Sequence, residues 1–212
     1  MSRIRLLLPV MLGFFPAVAF GQSVPTQADW LGSLRLGGYV IVLRHGATTS
    51  DMATDPMSNP AKQAAASGER QLSEAGRAQA KAVGEAMRRL KIPVGLVLTS
   101  PLQRAVDTGT LLGFGEVTVK PELAEAGSAL SPEENKHRAD ALRQLVAIYP
   151  PADNNLVIVT HKPNLIEAFG KDWSDVREGE ASVFEPDFNG GGYKLVLRVR
   201  AEEWKALLQA TH

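Results

Sequence analysis

Two histidines and an arginine directly follow short apolar runs of the sequence. Arg44 and His45 come after Tyr39–Leu43, and His161 comes after Leu156–Thr160. Imidazole has an ordinary pKa of about 6.5, so a histidine at pH 7 is a neutral nucleophile. Guanidinium groups bind phosphoryl oxygens through two parallel hydrogen bonds. These residue types together predict a site for phosphate.

A third apolar run, Val94–Leu98, leads to Arg104, which we place one turn into a helix. The free N–H groups at the start of that helix would also favour an anion. Phosphoryl transfer needs an in-line nucleophile and neutralisation of charge, and a leaving alkoxide also needs a proton. Glu122 and Glu125, which follow the third predicted strand, are the candidate acids.

The elements that would position these residues alternate between strands and helices. We predict strands over Tyr39–Leu43, Val94–Leu98, Glu116–Val119, Leu156–Thr160, Ala181–Glu185 and Tyr193–Arg200. We predict helices over Gln27–Leu36, Ser73–Leu90, Ser100–Leu112, Ser131–Tyr149, from Pro163 onward, and over Ala201–Ala210. This order predicts an α/β fold, a three-layer sandwich whose mostly parallel central sheet has helices on both faces and a C-terminal β-hairpin. Ligands of such sheets bind at the carboxyl ends of the strands.

Three serines are the predicted N-caps of helices. Ser73 precedes Glu74 in the first turn of one helix, and Ser131 precedes a proline at the first position of another. Ser100 is followed by Pro101 in the same way. Serine caps the free N–H groups of a helix, and proline fits its first position. The third predicted helix is therefore expected to begin at Ser100–Pro101.

The composition excludes several kinds of site and partner. The 212 residues contain no cysteine, which excludes disulfides, thiolate catalysis and cysteine-bound metal. The formal net charge is zero, so no global field would attract nucleic acid or an anionic membrane. We predict a small phosphorylated molecule as the binding partner and no cofactor.

The N-terminus is typical of a secretory signal peptide. Arg3 and Arg5 precede the apolar stretch Leu6–Phe20, which is shorter than the ~20 residues that a membrane-spanning helix needs. Small residues then end the stretch at Gly21, as a signal peptidase requires. We expect cleavage after Gly21, one mature domain over residues 22–212, and a periplasmic or secreted protein that is not held in the membrane.

The long segment Ala47–Gln71 lacks a regular pattern and leaves the end of the first predicted strand. Such a segment inside a compact domain is usually a functional loop. Thr48, Asp51 and Arg70 are therefore the candidate residues for contacts with the substrate.

A metal site is the alternative interpretation of the two histidines. His45 and His161 would need a third ligand, for which Asp51 or Glu125 is available. The neighbouring arginines would repel a cation, so we predict that the site holds no metal.

Four pieces of the chain resemble, in order, the histidine phosphatase superfamily, which has the phosphoglycerate-mutase-like fold. The pieces are Leu43–Gly46 with Thr48, Gln71–Ala80, Thr99–Ala105 and Val159–His161. The resemblance extends from Tyr39 to about Asn164. It implies the α/β fold of that family.

The resemblance also implies a role for each residue of the site. His45 would be the phosphorylated nucleophile, and Arg44, Arg104 and His161 would complete the phosphate pocket. Glu125 would be the acid, since Leu123-Ala124-Glu125 fits the family's Leu-x-Glu pattern. Together with the predicted signal peptide, the resemblance is to small periplasmic members.

The implied activity is the hydrolysis of a phosphomonoester through a phosphohistidine intermediate, by an exported phosphatase. Some small periplasmic members resemble the phosphatase that acts on lipopolysaccharide core heptose phosphate, which implies an envelope phosphosugar as the expected substrate. Two alternatives stay open. One is a phosphohistidine-protein phosphatase, against which export away from cytosolic phosphorelays argues. The other is a non-catalytic phosphosugar-binding protein, which would require the loss of a core catalytic residue.

Overall fold

Six strands form one mixed sheet in the computed structural model, which describes residues 27–49, 69–151, 153–187 and 190–210. In chain order the strands are β1 (Val40–Arg44), β2 (Val94–Thr99), β3 (Val117–Val119), β4 (Asn155–Thr160), β5 (Ala181–Pro186) and β6 (Tyr193–Val199). Their order across the sheet is β3-β2-β4-β1-β5-β6. The first four strands are parallel, whereas β5 is antiparallel to both β1 and β6. The predicted mostly parallel sheet and C-terminal hairpin are therefore confirmed.

Helices cover both faces of this sheet. They are α1 (Gln27–Leu36), α2 (Glu74–Arg89), α3 (Gln103–Leu112), α4 (Pro132–Ala147), α5 (Lys162–Phe169) and α6 (Ala201–Ala210). Side chains along β1 point alternately to the two faces, as the geometry of a strand requires. Ile41 and Leu43 pack in one buried cluster with α1, α2 and α6, and Val40 and Val42 pack in another with α4 and α5.

Two of the three predicted serine caps are confirmed. The Ser73 hydroxyl accepts a hydrogen bond from the Gly76 N–H at 3.0 Å, at the start of α2. The Ser131 hydroxyl accepts one from the Glu134 N–H at 3.1 Å, at the start of α4. These local contacts fix where both helices begin, because each satisfies a backbone donor that has no partner within its helix.

The predicted start of α3 at Ser100–Pro101 is wrong, because α3 begins at Gln103. Leu102 stands at the N-cap position and makes no side-chain capping hydrogen bond. The Ser100 hydroxyl accepts instead from the Leu102 N–H at 3.2 Å and lies 2.7 Å from His161 Nε2. Ser100 directly follows β2 at the edge of the sheet, where its hydroxyl contacts His161. The chain therefore makes a turn there before the helix starts.

The ends of three neighbouring parallel strands, β2, β4 and β1, meet at one edge of the sheet. The His45 N–H donates to the Thr160 carbonyl, and the Ser100 N–H donates to the Val159 carbonyl, both at 3.0 Å. The residues that follow the three strands are therefore held side by side, with His161 next in the chain after β4. This confirms the predicted juxtaposition of the strand ends.

The predicted loop Ala47–Gln71 is described only at its two ends, since residues 50–68 lie outside the described residues. The Thr49 N–H donates to the Gln71 carbonyl at 3.0 Å, so these two ends are paired. The pairing brings Arg70 to the same edge of the sheet as the strand ends.

The predicted signal peptide, residues 1–21, lies outside the described residues. Its cleavage and the mature domain over residues 22–212 therefore stay predictions. Within the described ranges, no helix combines the length and the apolar character needed to cross a membrane.

Candidate active site

His45 is buried directly after β1, and hydrogen bonds set the orientation of its ring. The residue is 1% exposed, and its Nδ1 lies 2.8 Å from the Gly46 carbonyl oxygen. A carbonyl oxygen only accepts, so Nδ1 carries the hydrogen and Nε2 carries the lone pair. The Arg104 Nε–H donates to this Nε2 at 3.3 Å. The nucleophilic nitrogen therefore faces a guanidinium group that could hold a phosphoryl group in front of it.

His161 lies beside His45, with 5.2 Å between the ring centroids. It is fully buried at the start of α5, and its Nε2 is 2.7 Å from the Ser100 hydroxyl oxygen. Its Nδ1 is buried and has no hydrogen-bond partner within the part of the chain that the structure describes. A buried polar atom without a partner is costly, so this nitrogen is suited to bind an incoming ligand.

Both histidines are neutral at pH 7. Burial lowers the pKa of His45 from 6.5 to about 3, and the positive charge of Arg104 contributes further. Burial likewise lowers the pKa of His161 from 6.5 to about 2, again with a contribution from Arg104. Neutral imidazole is the form that attacks an electrophile, so the environment keeps His45 in its reactive state.

Arg44 is held by the segment between α5 and β5. Its Nη1 donates to the Val176 carbonyl at 2.8 Å, and its Nη2 lies 3.4 Å from the Glu178 carboxylate. The Thr48 hydroxyl donates to the same carboxylate at 3.2 Å. The Arg44 Nε is buried without a partner among the described residues, and so remains a donor for an anion.

Arg104 is 3% exposed and carries two carboxylates on its guanidinium group. Its Nη2 donates to Glu125 at 2.6 Å, and its Nη1 lies 3.7 Å from Glu69. Glu69 also accepts a short hydrogen bond from the Gln103 N–H at the start of α3. A phosphate that binds Arg104 would therefore replace one or both of these carboxylates.

Of the two candidate acids, Glu125 is the one at the site. Its carboxylate contacts Arg104, and its backbone carbonyl accepts from Arg138 Nη1 at 2.7 Å. The neighbouring Ala126 N–H donates to the side-chain oxygen of Asn164 at 3.0 Å, which fixes the local backbone. Glu122 lies in the short 3-10 helix before it and does not line the cavity that Glu125 lines.

An open cavity of about 340 Å³ adjoins these residues. This volume falls at the small end of the range for small-molecule sites, ~300–1,000 Å³. Four lining residues come from the end of β1, the paired loop ends and the segment after the 3-10 helix, and four come from α5. They are Arg44, His45, Arg70 and Glu125, and Lys162, Pro163, Ile166 and Glu167.

The structure thus assembles most of the predicted site. Five predicted residues meet at the sheet edge: Arg44, His45, Arg104, Glu125 and His161. Arg70 lines the cavity, whereas Thr48 binds Glu178, and Asp51 lies outside the described residues. Among the described residues, there is no group of three or more His, Cys, Asp and Glu side chains that could hold a metal ion.

Sequence reasoning missed three residues of this site. Glu69 and Glu178 pair with the two arginines, and the Ser100 hydroxyl binds His161. Single glutamates in polar segments carry no local signal of such pairing. Ser100 did carry a local signal, because it follows an apolar strand in the way that His45 and His161 do.

Residues 40–146 match the model of the histidine phosphatase superfamily (branch 1). The match covers half of the chain and includes His45, Arg104 and Glu125. The chain belongs to this superfamily. Membership supports a phosphatase activity. No curated protein sequence matches the chain.

Solved structures with the same fold include several phosphatases. The protein histidine phosphatase SixA with tungstate is 18% identical with a TM-score of 0.52, covering 78% of this chain and 98% of that chain. A mycobacterial glucosyl-3-phosphoglycerate phosphatase is 20% identical with a TM-score of 0.51, covering 75% and 97%. A phosphoserine phosphatase from Entamoeba histolytica, in complex with 3-phosphoglyceric acid, is 16% identical with a TM-score of 0.51, covering 76% and 95%. At these identities the likeness establishes the fold.

Proposed function

We propose that this protein is an exported phosphatase that hydrolyses a phosphomonoester, without a metal ion, through a phosphohistidine at His45. One observation carries the proposal. The buried, neutral His45 has its Nε2 lone pair next to the Arg104 guanidinium. Arg44 Nε and His161 Nδ1, which are buried and have no partners within the described residues, are the further groups that we assign to the phosphoryl oxygens.

The proposed reaction has two steps. In the first, Arg44, Arg104 and His161 bind the phosphoryl oxygens while His45 Nε2 attacks phosphorus in line. The bond from phosphorus to the leaving oxygen breaks, and Glu125, whose contact with Arg104 the phosphoryl group replaces, gives a proton to that oxygen. In the second, water attacks the phosphorus of phospho-His45 and transfers a proton to Glu125. The N–P bond then breaks, and inorganic phosphate is released with neutral His45 restored.

The proposed substrate is a small phosphorylated molecule of the cell envelope, such as a phosphosugar. The cavity volume of about 340 Å³ supports a substrate of that size. The N-terminal pattern of Arg3, Arg5 and the apolar stretch that follows supports export. A non-catalytic binding protein is disfavoured, since none of the five site residues is missing.

Substitution of His45 tests the mechanism. His45→Ala should lower the turnover of nitrophenyl phosphate by at least about 10³-fold, because the nucleophile is lost. Rapid quenching in alkaline denaturant and peptide mass spectrometry of the wild type at alkaline pH should find a phosphate on His45, and acid treatment should remove it. His137→Ala, which removes an exposed imidazole on α4, is the matched control and should keep full activity.

The same preparation tests the other parts of the proposal. Activity should survive exhaustive EDTA treatment, and protein exported from a bacterial host should begin near Gln22 by mass spectrometry. If His45→Ala retains most of its activity, the phosphohistidine mechanism is wrong. Loss of activity with EDTA and its recovery with one divalent ion would replace it by a metal-dependent mechanism.

A further inference from the structure

The first turns of α5 form a wall of the cavity that the proposed mechanism does not use. Pro163 and Ile166 supply apolar surface there, and Lys162 and Glu167 supply charges. Arg70 reaches the same cavity from the paired ends of the loop. Because the phosphoryl group would lie at His45, this wall is where the leaving group of a substrate would rest.

Two cations, Lys162 and Arg70, lie in this part of the cavity. Lys162 and Arg70 form no ion pair within the described residues, whereas the carboxylates of Glu69 and Glu125 are both paired with Arg104. The remaining charge of the wall is Glu167, which is exposed. A neutral leaving group would remove water from these two cations without supplying a negative charge in its place. Such desolvation of a charge is unfavourable.

We propose that the leaving group of the preferred substrate carries a second anionic group, which Lys162 and Arg70 bind. An apolar face of the same leaving group packs against Pro163 and Ile166. The substrate class is thus a phosphomonoester with a carboxylate or second phosphate a few bonds from the ester oxygen. This inference rests on the proposed function, since it takes His45 as the point of attack.

A matched pair of substrates tests the anion site. Phenyl phosphate and 3-carboxyphenyl phosphate share an apolar ring and differ by one carboxylate. The wild type should favour the second in kcat/KM by about five-fold, the size expected of a partly exposed ion pair. Lys162→Gln and Arg70→Gln should each lower this ratio, whereas Glu167→Gln should raise it by removing a like charge.

Comparing ratios between enzymes removes the intrinsic difference between the two leaving groups, since this is the same for every variant. Lys205→Gln is the matched control: it removes an exposed lysine on α6, which packs on the opposite face of the sheet from α5. Its ratio should equal that of the wild type. Equal thermal unfolding midpoints would show that each variant is folded.

A binding measurement separates failure of the inference from failure of the proposed function. Calorimetry with phenylphosphonate and 3-carboxyphenylphosphonate, which need no turnover, should show the same preference and the same loss in Lys162→Gln. No turnover of either phosphate by the wild type would overturn the proposed function, while the phosphonates would still report on the anion site. A wild-type enzyme without preference, or ratios unchanged in both Lys162→Gln and Arg70→Gln, would overturn the inference.

Discussion

A short chain of hydrogen bonds connects the reactive ring of His45 to its neighbouring arginine through the backbone. The Gly46 carbonyl accepts from His45 Nδ1, and the Gly46 N–H donates to the Thr108 hydroxyl at 3.0 Å. That hydroxyl donates in turn to the Arg104 carbonyl at 2.7 Å. The tautomer of the nucleophile and the position of its guanidinium partner are therefore fixed by one buried network, so the site is preorganised for a phosphoryl group.

At the same scale, the identity of the acid is open to a test by leaving group. An alkoxide needs a proton in the transition state, whereas a nitrophenolate hardly does. We expect Glu125→Gln to slow hydrolysis of an alkyl phosphate by ~10²–10⁴-fold, the usual contribution of general acid catalysis. It should slow hydrolysis of nitrophenyl phosphate much less. Steady-state kcat/KM on both substrates is the measurement.

Glu122→Gln is the matched control, since Glu122 is three residues away in the same segment and does not line the cavity. It should change neither rate by much. If the two variants exchange behaviour, Glu122 is the acid. If neither shows dependence on the leaving group, the proton comes from another residue, and Asp51 is the next candidate.

At the scale of elements, β6 holds the segment that positions Arg44. Arg198 of β6 binds the buried Glu180 carboxylate at 2.5 Å, and the other oxygen of that carboxylate accepts from the Arg177 N–H at 3.0 Å. The Glu180 carbonyl accepts from the Arg44 N–H, and the Gly179 N–H donates to the Arg44 carbonyl. The Arg198–Glu180 ion pair therefore supports, from behind, the segment that holds Arg44 in the proposed phosphate pocket.

We expect Arg198→Met to destabilise the protein by about 2 kcal/mol or more, because it leaves the buried Glu180 carboxylate without a cation and with only the Arg177 N–H as a partner. Fully buried pairs cost ~3–5 kcal/mol to break, and Arg198 is about a quarter exposed. Vanadate should also bind more weakly, as the segment that fixes Arg44 loosens. Urea unfolding and vanadate inhibition are the measurements.

Asp175→Asn supplies the control, because it breaks a contact of the same arginine at a carboxylate that is 76% exposed. An ion pair at the surface contributes little to stability, so its effect should be small. Equal effects of Asp175→Asn and Arg198→Met would contradict the supporting role of the buried pair.

The elements that could be predicted from sequence are those with local signals. Apolar runs gave the strands, and serines with a polar first turn gave the starts of α2 and α4. The predicted start of α3 was wrong because the Ser100 hydroxyl contacts His161, which lies 61 residues away in the sequence. The contact of Arg44 with the Val176 carbonyl spans 132 residues. Such pairings depend on strand order, which no local pattern encodes.

At the scale of the whole molecule, placing two histidines at the buried edge of the sheet makes stability depend on pH. The native state keeps His45 and His161 neutral down to pKa values of about 3 and about 2. In the unfolded chain both titrate near the ordinary pKa of about 6.5. Below that pH the unfolded state binds protons that the native state does not, so stability falls as pH falls. Above pH 6.5 the two histidines are neutral in both the native and the unfolded state, so they do not contribute to the pH dependence of stability.

This linkage predicts a difference between variants in the pH dependence of unfolding. Each buried histidine should lower the free energy of unfolding by about 1 kcal/mol between pH 6 and pH 5, approaching ~1.4 kcal/mol per unit at lower pH. His161→Gln should therefore show a shallower loss than the wild type by that amount, whatever its stability at pH 7. Urea unfolding at both pH values measures this difference, in phosphate-free buffer because phosphate would stabilise the native state.

His137→Gln, which removes an exposed imidazole on α4, should keep the wild-type slope. Equal slopes for the wild type and His161→Gln would mean that His161 is protonated in the folded protein at pH 5, which contradicts its burial as a neutral ring.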